Sequence, residues 1–181
     1  MNPTLAELVE SGAKLTPMME QYWAVKKLHP GIIVFFRMGD FYEMFFEDAR
    51  EVARLLNISL TTRGKLGDVP IPMAGIPHHA APAYVDRISQ MGKKVVICEQ
   101  LENPKDVKGI VKRGVVQIVS PAVPYDLDRT VNGENKYIAS AWQDSQGFLL
   151  CLLDFTTGDF FGFALKSAEE LAEKLLVYRP K

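Results

Sequence analysis

The sequence predicts an α/β fold: a mixed β-sheet with flanking helices, followed by an incomplete second α/β domain that begins with an antiparallel β-meander. Short runs of β-branched and aromatic residues alternate with stretches whose apolar residues recur at helical spacing, which indicates the first part. Three apolar runs separated by short polar turns indicate the meander. We place the first domain at residues 1–120, a linker at 121–136 and the second domain at 137–181.

The elements of the first domain follow from local signals along the chain. Residues 1–15 are weakly patterned, and a helix is predicted to begin after Thr16 with Pro17 at its first position. A strand at 32–37 is apolar on both faces and is therefore expected in the middle of the sheet. The other predicted elements are helices at 44–56 and 84–91, strands at 58–62, 94–100 and 115–119, a hairpin turn at 63–68, and an edge strand or loop at 69–77, where three prolines lie.

The second domain is predicted from three short strands, at 137–142, 147–155 and 160–165. Ser167 and Glu170 then form a capping box at the start of a final helix. Three strands and one helix make a thin core, so we expect this domain to continue beyond residue 181.

Composition limits the class of protein. The formal net charge of -1 over 181 residues gives no overall sign of nucleic-acid binding, so any attraction to phosphates must come from a local patch. Cys98 and Cys151 lie in apolar runs, which favours buried, reduced thiols over a disulfide. Neither a secretory signal nor a run long enough to span a bilayer is visible. We expect a soluble, cytoplasmic protein.

One segment is much more specific than the rest. Residues 36–45 read Phe-Arg-Met-Gly-Asp-Phe-Tyr-Glu-Met-Phe and contain a complete Gly-x-Phe-Tyr-Glu motif. With its flanks, the segment resembles the N-terminal domain of the MutS family of DNA mismatch-repair proteins. The flanking matches are at 16–19, 70–80 and 97–100, and weaker matches at 142–144 and 153–154 resemble the start of that family's connector domain.

The resemblance implies a mismatch-recognition domain in which Phe41 stacks into duplex DNA at a mispaired or unpaired base and Glu43 hydrogen-bonds a base there. An aromatic wedge unstacks and kinks DNA at a cost of a few kcal/mol, which is least where pairing is already broken. A carboxylate beside phosphates is unfavourable unless it meets a donor, so Glu43 should penalise intact duplex. Without the resemblance, Phe41 is better explained as a core aromatic that closes a strand, and residues 41–43 fit either a strand or a first helical turn.

Phosphate contacts require donors around the wedge. The candidates are Arg37, Arg63, Lys65, Lys112 and Arg113, with Lys105 and Lys108 in the neighbouring loop, and each also fits a solvated surface charge. Met73 fits either the minor groove near the wedge or the apolar core.

The chain has no Gly-x-x-x-x-Gly-Lys-Ser/Thr phosphate loop, so the ATPase implied by the resemblance, with ATP and Mg as its cofactors, is expected beyond residue 181. We expect no enzymatic activity in these residues. A homodimer and a MutL-type partner are implied for the full-length protein.

Three alternatives bear on this interpretation. The adjacent His78 and His79 point to opposite faces of an extended chain, which disfavours a metal site. A metal-dependent nuclease would use Asp144, Asp154 and Asp159, although turns favour two of these acids for backbone reasons. A protein-interaction module without DNA contact also fits the near-neutral charge.

Overall fold

The computed structural model describes residues 3–121, 123, 125 and 135–180. The chain divides into two compact units, residues 1–125 and 126–181, and each is described by itself. The α/β class with a mixed sheet is confirmed. Most of the predicted linker lies outside the described residues, so the division at 121–136 stays a prediction.

A six-stranded mixed sheet forms the centre of the first unit. Its order is β3-β4-β2-β1-β5-β6; β1 and β5 are parallel, and the other neighbours are antiparallel. The strands are β1 (Ile33–Met38), β2 (Phe41–Phe45), β3 (Thr61–Leu66), β4 (Val69–Pro77), β5 (Val95–Gln100) and β6 (Arg113–Val119). The central position predicted for β1 is confirmed, since it lies between β2 and β5 and its first four residues are buried.

Helices cover both faces of this sheet. One face packs on α1 (Leu5–Glu10) and α2 (Pro17–Lys26), and the other on α3 (Phe46–Leu56) and α4 (Ala81–Gln90). Two apolar clusters, one on each face, therefore form the core. The start of α2 is as predicted, because the Thr16 side chain accepts a hydrogen bond from the Met19 amide.

Helix α1 was not predicted, since residues 1–15 carry little periodicity. Its first turn is held by a capping box, in which Thr4 and Glu7 exchange side-chain to backbone hydrogen bonds. Leu5 and Leu8 are its buried residues, so two apolar side chains fix a helix too short for periodicity to reveal.

The prediction of a helix from residue 44 is wrong at its start. Met44 and Phe45 belong to β2, and the helix begins at Phe46, which has φ 50 and is fully buried. A bulky residue in the left-handed region is strained, so the packing of its ring must hold this abrupt change from strand to helix.

Two predictions for the hairpin formed by β3 and β4 are also wrong. Residues 63–66 lie in β3 and not in a turn, with an irregular register between Thr62 and Lys65. β4 is not an edge strand or loop, because it pairs with β3 on one side and β2 on the other. Pro70 and Pro72 are tolerated because they lie outside the stretch registered with β2, which starts at Met73.

A buried polar network ties α2, α3 and β1 together. The Asp48 carboxylate accepts hydrogen bonds from Lys26 Nζ at 2.5 Å, Tyr22 Oη at 2.7 Å and the Val34 amide at 3.0 Å. Lys26 Nζ also donates to the Ile32 carbonyl at 2.8 Å. Burial raises the pKa of Asp48, and the nearby Lys26 charge opposes that shift. This network joins the base of β1 to the helix that follows β2.

The second unit contains the predicted meander and final helix. Its strands are β7 (Tyr137–Asp144), β8 (Gly147–Asp154) and β9 (Phe160–Leu165), and α5 (Ala168–Tyr178) packs on one face of the sheet. Ser167 caps α5 by accepting from the Glu170 amide, while the Glu170 side chain accepts from the amide of Lys166. In the part of the chain that the structure describes, no helix is both long and apolar enough to cross a membrane.

Candidate nucleic-acid interface

Strand β2 places a graded row of side chains on one face of the sheet. Alternate residues of a strand share a face, so Phe45, Glu43 and Phe41 lie on the α2 side, while Tyr42 faces the opposite core. Their exposed fractions rise along the row, from 0% at Phe45 to 9% at Glu43 and 45% at Phe41. The strand alternative for residues 41–43 is therefore correct, and the Phe41 ring is not a core aromatic.

The tight turn before Phe41 is held on both sides. Met38 pairs with Phe41, and Gly39 between them has φ 59, which the first position of such a turn requires. The Gly39 amide donates to Gln100 Oε1 at 2.8 Å, and the Asp40 carbonyl accepts from the His78 amide at 2.8 Å. The backbone next to Phe41 is thus tied to both neighbouring parts of the sheet.

Gly75 leaves the surface beside Phe41 open. It pairs with Glu43 in the next strand, and a Cβ placed on it would lie 3.8 Å from both Glu43 Cγ and Phe41 Cδ1. Because glycine has no side chain, one side of the aromatic ring remains accessible.

Glu43 is paired in this structure. Nη1 of Arg63 lies 2.6 Å from each of its two carboxylate oxygens. Since β4 separates β3 from β2, the Arg63 side chain reaches across a whole strand to make this contact. Burial raises the pKa of Glu43, whereas the charges of Arg63 and Arg113 act to lower it.

Arg113 approaches the same row on the same face of the sheet, but from the edge strand β6, at the opposite edge from Arg63. Its guanidinium lies 5.2 Å from the centre of the Phe36 ring and donates to the carbonyls of Arg37 at 2.6 Å and Val111 at 2.8 Å. Burial lowers its pKa, while the negative charge of Glu43 acts to raise it. Two arginines therefore flank one carboxylate, directly behind an exposed aromatic ring.

Comparison with known proteins gives the family of the domain that carries these residues. Residues 16–128 match the family model described as MutS domain I, and this range includes the whole site. This chain belongs to the MutS family.

Curated relatives of the MutS family support the same assignment. Proteins named DNA mismatch repair protein MutS are 43% identical over 171 residues in Desulfatibacillum aliphaticivorans and 44% identical over 165 residues in Alkaliphilus metalliredigens (strain QYMF). These matches cover 94% and 91% of this chain, but only 19% and 18% of the respective relatives. A third, from Streptococcus pneumoniae serotype 19F (strain G54), is 46% identical over 148 residues, covering 82% of this chain and 17% of that protein. The chain thus spans less than a fifth of the length of the MutS relatives it matches.

The remaining candidate residues of this MutS domain do not all lie near Phe41. Arg37 pairs with Tyr42 across the strands and so faces the other side of the sheet, where it contacts Glu99 at 3.4 Å. Lys65 is exposed, opposite Pro70. Met73 is a partly buried neighbour of the α2-side core and pairs with Phe45, not with Phe41.

The loop at 101–112, which carries three candidate lysines, lies at the same end of the sheet as Phe41. Because β5 runs parallel to β1, the loop at 101–112 leaves the sheet at the same end as the turn before Phe41. Lys105, Lys108 and Lys112 are exposed in it, and the Lys112 amide donates to Glu102 Oε2 at 2.8 Å. These three lysines are candidate phosphate contacts because of where the loop lies, and not because they contact Phe41 or Glu43.

The three acids of the nuclease alternative are not assembled into one centre. Asp144 pairs with Gly147, seven residues from Asp154 along β8, so the two acids are about 23 Å apart at roughly 3.3 Å per residue. Paired metal ions in such enzymes lie only about 4 Å apart. Among residues 3–121, 123, 125 and 135–180, no three metal-ligating side chains come together.

Asp154 has a structural role in the turn that follows β8. Burial opposes its ionisation, but hydrogen bonds from the Thr156 hydroxyl and amide lower its pKa. Similarly, the His78 amide and ring contact the Asp40 carbonyl, which places this histidine in the support of the turn before Phe41.

Proposed function

We propose that the first unit recognises mispaired or unpaired bases in duplex DNA, with Phe41 as a wedge that stacks into the helix at the lesion. The observation that carries the proposal is a half-exposed aromatic ring on a strand paired along both edges, beside an open glycine and ahead of two arginines. An unstacked base step offers the ring a new partner, and weak pairing lowers the cost of opening that step.

Glu43 is proposed to hydrogen-bond a base at the same place. Glu43 lies between the buried Phe45 and the exposed Phe41 on the same face of β2. A base step that the Phe41 ring opens would therefore bring base edges toward the Glu43 carboxylate. In matched duplex, those edges stay paired, so Glu43 gains no hydrogen bond from a base to offset the cost of placing a carboxylate next to phosphates. Selectivity would then depend on how easily the duplex deforms and not on its sequence.

Phosphate contacts are assigned to basic residues around the row. Arg63 and Arg113 lie on either side of Glu43, and the loop lysines lie at the same end of the sheet. Arg37, Lys65 and Met73 remain weaker candidates because of the positions described above.

For the whole protein, we propose a role in DNA mismatch repair, as the names of the relatives indicate. The chain would be the N-terminal part of a longer cytoplasmic protein, with an ATPase that uses ATP and Mg elsewhere in its sequence. A homodimer and a MutL-type partner belong to the same proposal. The described first unit would then act as its DNA reader.

The test is a binding titration of the full-length protein with two duplexes that differ in one mispair. Phe41→Ala should abolish the preference for the mispaired duplex while thermal unfolding stays as in the wild type, because the ring is exposed. Phe160→Ala, which removes a 70% exposed ring from the second unit, is the matched control and should keep the preference. Unchanged discrimination in Phe41→Ala would refute the wedge and favour a protein partner for the exposed ring.

A further inference from the structure

The contact between Arg63 and Glu43 occupies the group that the proposed function requires. One guanidinium nitrogen is 2.6 Å from both carboxylate oxygens, so Arg63 takes up acceptor capacity on each oxygen. A base edge that approaches Glu43 therefore competes with the arginine for the same carboxylate.

Arg63 is the more exposed and less constrained member of the pair. Its side chain is 45% exposed, compared with 12% for that of Glu43. It lies on the edge strand β3, where the register with β4 is irregular, and Gly64 follows it with φ 68. Glu43, by contrast, lies on a strand paired on both sides. An ion pair with a half-exposed cation is weak enough to exchange for another anion.

Arg113 does not have the same freedom. Its guanidinium is held by two backbone carbonyls, and its amide donates to Gln21 Oε1 at 3.0 Å. It therefore remains a fixed positive charge near Glu43 after Arg63 leaves. One arginine is fixed and the other is exchangeable, although both flank the same carboxylate.

We propose that Arg63 is an exchangeable counter-ion that sets specificity: it stays on Glu43 in the free protein and on matched duplex, and moves to a DNA phosphate when Glu43 bonds a base at a lesion. This inference rests on the proposed function. It separates Arg63 from an ordinary phosphate contact, which would engage matched and mispaired DNA alike. It also explains how a cation beside the wedge avoids strengthening unspecific binding.

Salt dependence provides the test. Log affinity falls as log salt rises, and each phosphate contact adds about 0.9 to the steepness of this fall, which is called the slope below. Full-length protein is titrated with the matched and the single-mispair duplex at several salt concentrations. Arg63→Met should lower the slope by about 0.9 on mispaired duplex and leave it unchanged on matched duplex. In a Glu43→Gln background, where the ion pair is absent, Arg63→Met should lower the slope by about 0.9 on both duplexes.

Two variants serve as controls for this cycle. Lys65→Met removes an exposed cation from the same strand and should change both slopes by equal amounts. Arg63→Lys keeps the charge and should retain the full slope on mispaired duplex. Thermal unfolding of each variant verifies that the fold is intact.

Equal decreases on both duplexes in the wild-type background would show a constant phosphate contact and overturn the inference. No decrease on either duplex would show a purely structural counter-ion and overturn it as well. Phe41→Ala separates the two levels: if it abolishes discrimination while the slopes behave in either of these ways, the proposed function stands and only the role of Arg63 fails.

Discussion

Replacing Lys26 by methionine tests whether the buried network supports the first unit. The change removes two hydrogen bonds from Nζ, to Asp48 at 2.5 Å and to the Ile32 carbonyl at 2.8 Å, and leaves the Asp48 carboxylate buried without its counter-ion. Breaking a buried ion pair from one side costs about 3–5 kcal/mol, because the remaining charge is uncompensated. Whole domains unfold at about 5–15 kcal/mol, so this loss is a large part of the total.

The expected magnitude translates into a clear shift in urea. With a slope of about 1.5 kcal/mol per molar urea, a loss of about 4 kcal/mol lowers the unfolding midpoint by about 2–3 M. Fluorescence of Trp23, which packs against the α2-side core, reports on the first unit once Trp142→Phe removes the second tryptophan. The matched control is Lys27→Met, one exposed position further along, which should change the free energy of unfolding by less than about 0.5 kcal/mol.

Two further results would distinguish a lost counter-ion from lost packing. Adding Asp48→Asn to Lys26→Met should recover part of the stability, since the amide oxygen still accepts from Tyr22 and Val34 without a charge. The penalty of Lys26→Met alone should also shrink as the pH falls, because protonation removes the buried charge. A loss within about 1 kcal/mol of the wild type at neutral pH would refute the reasoning.

Two other predictions concern ionisable groups of the first unit. Burial raises the pKa of Glu43 in the folded protein above its ordinary value of 4.5. The stability that protonated Glu43 contributes is therefore lost as the pH rises from that ordinary value through the raised pKa of the folded state. The gain in unfolding free energy from Glu43→Gln should therefore grow with pH and then level off, and urea titrations showing a constant difference would contradict this. Burial raises the pKa of the Cys98 thiol to about 12, so a thiol reagent at pH 8 should modify it at least about 100-fold more slowly than the half-buried Cys151. Peptide mass spectrometry measures both rates, which should converge in urea; equal rates in the native protein would be inconsistent with that burial.

Local signals predicted most elements of the sheet, but not where β2 ends. Met44 and Phe45 fit helical spacing with the residues that follow, so periodicity placed them in a helix. In the folded chain, their pairing with Ala74 and Met73 keeps them extended, and the change of direction occurs only at Phe46. Non-local strand pairing therefore overrides local periodicity here, and no local signal marks a buried phenylalanine with positive φ.

The same limit explains the errors at β3 and β4. Gly64 and Gly67 lie close together, which favours a turn over the whole stretch, but only Gly67 is at the turn, and Gly64 lies in the irregular part of β3. The prolines of β4 indicated an edge, whereas the register shows that β2 pairs only with the half of β4 that begins at Met73.

At the candidate site, sequence alone pointed to the residues on which the proposal rests but not to their contacts. The motif pointed to Phe41 and Glu43, whereas Arg37, predicted as a phosphate contact near the wedge, lies on the opposite face of the sheet from Phe36 and Glu43. The Arg63 contact crosses β4 to reach β2 and depends on a register that sequence patterns do not contain. Gly75, Gln100 and His78 were missed for the same reason, since their importance lies in which backbone they adjoin.

The mounting of Phe41 has a mechanical consequence. A ring on a flexible loop would be pushed aside by the DNA, so the loop would change its conformation and the base step would stay closed. Here the strand is hydrogen-bonded along both edges, and the same row continues into Phe45 at the core. Under the proposed function, the strand that carries Phe41 would yield little, so the deformation on binding would have to come from the DNA and would be easiest where its pairing is weak.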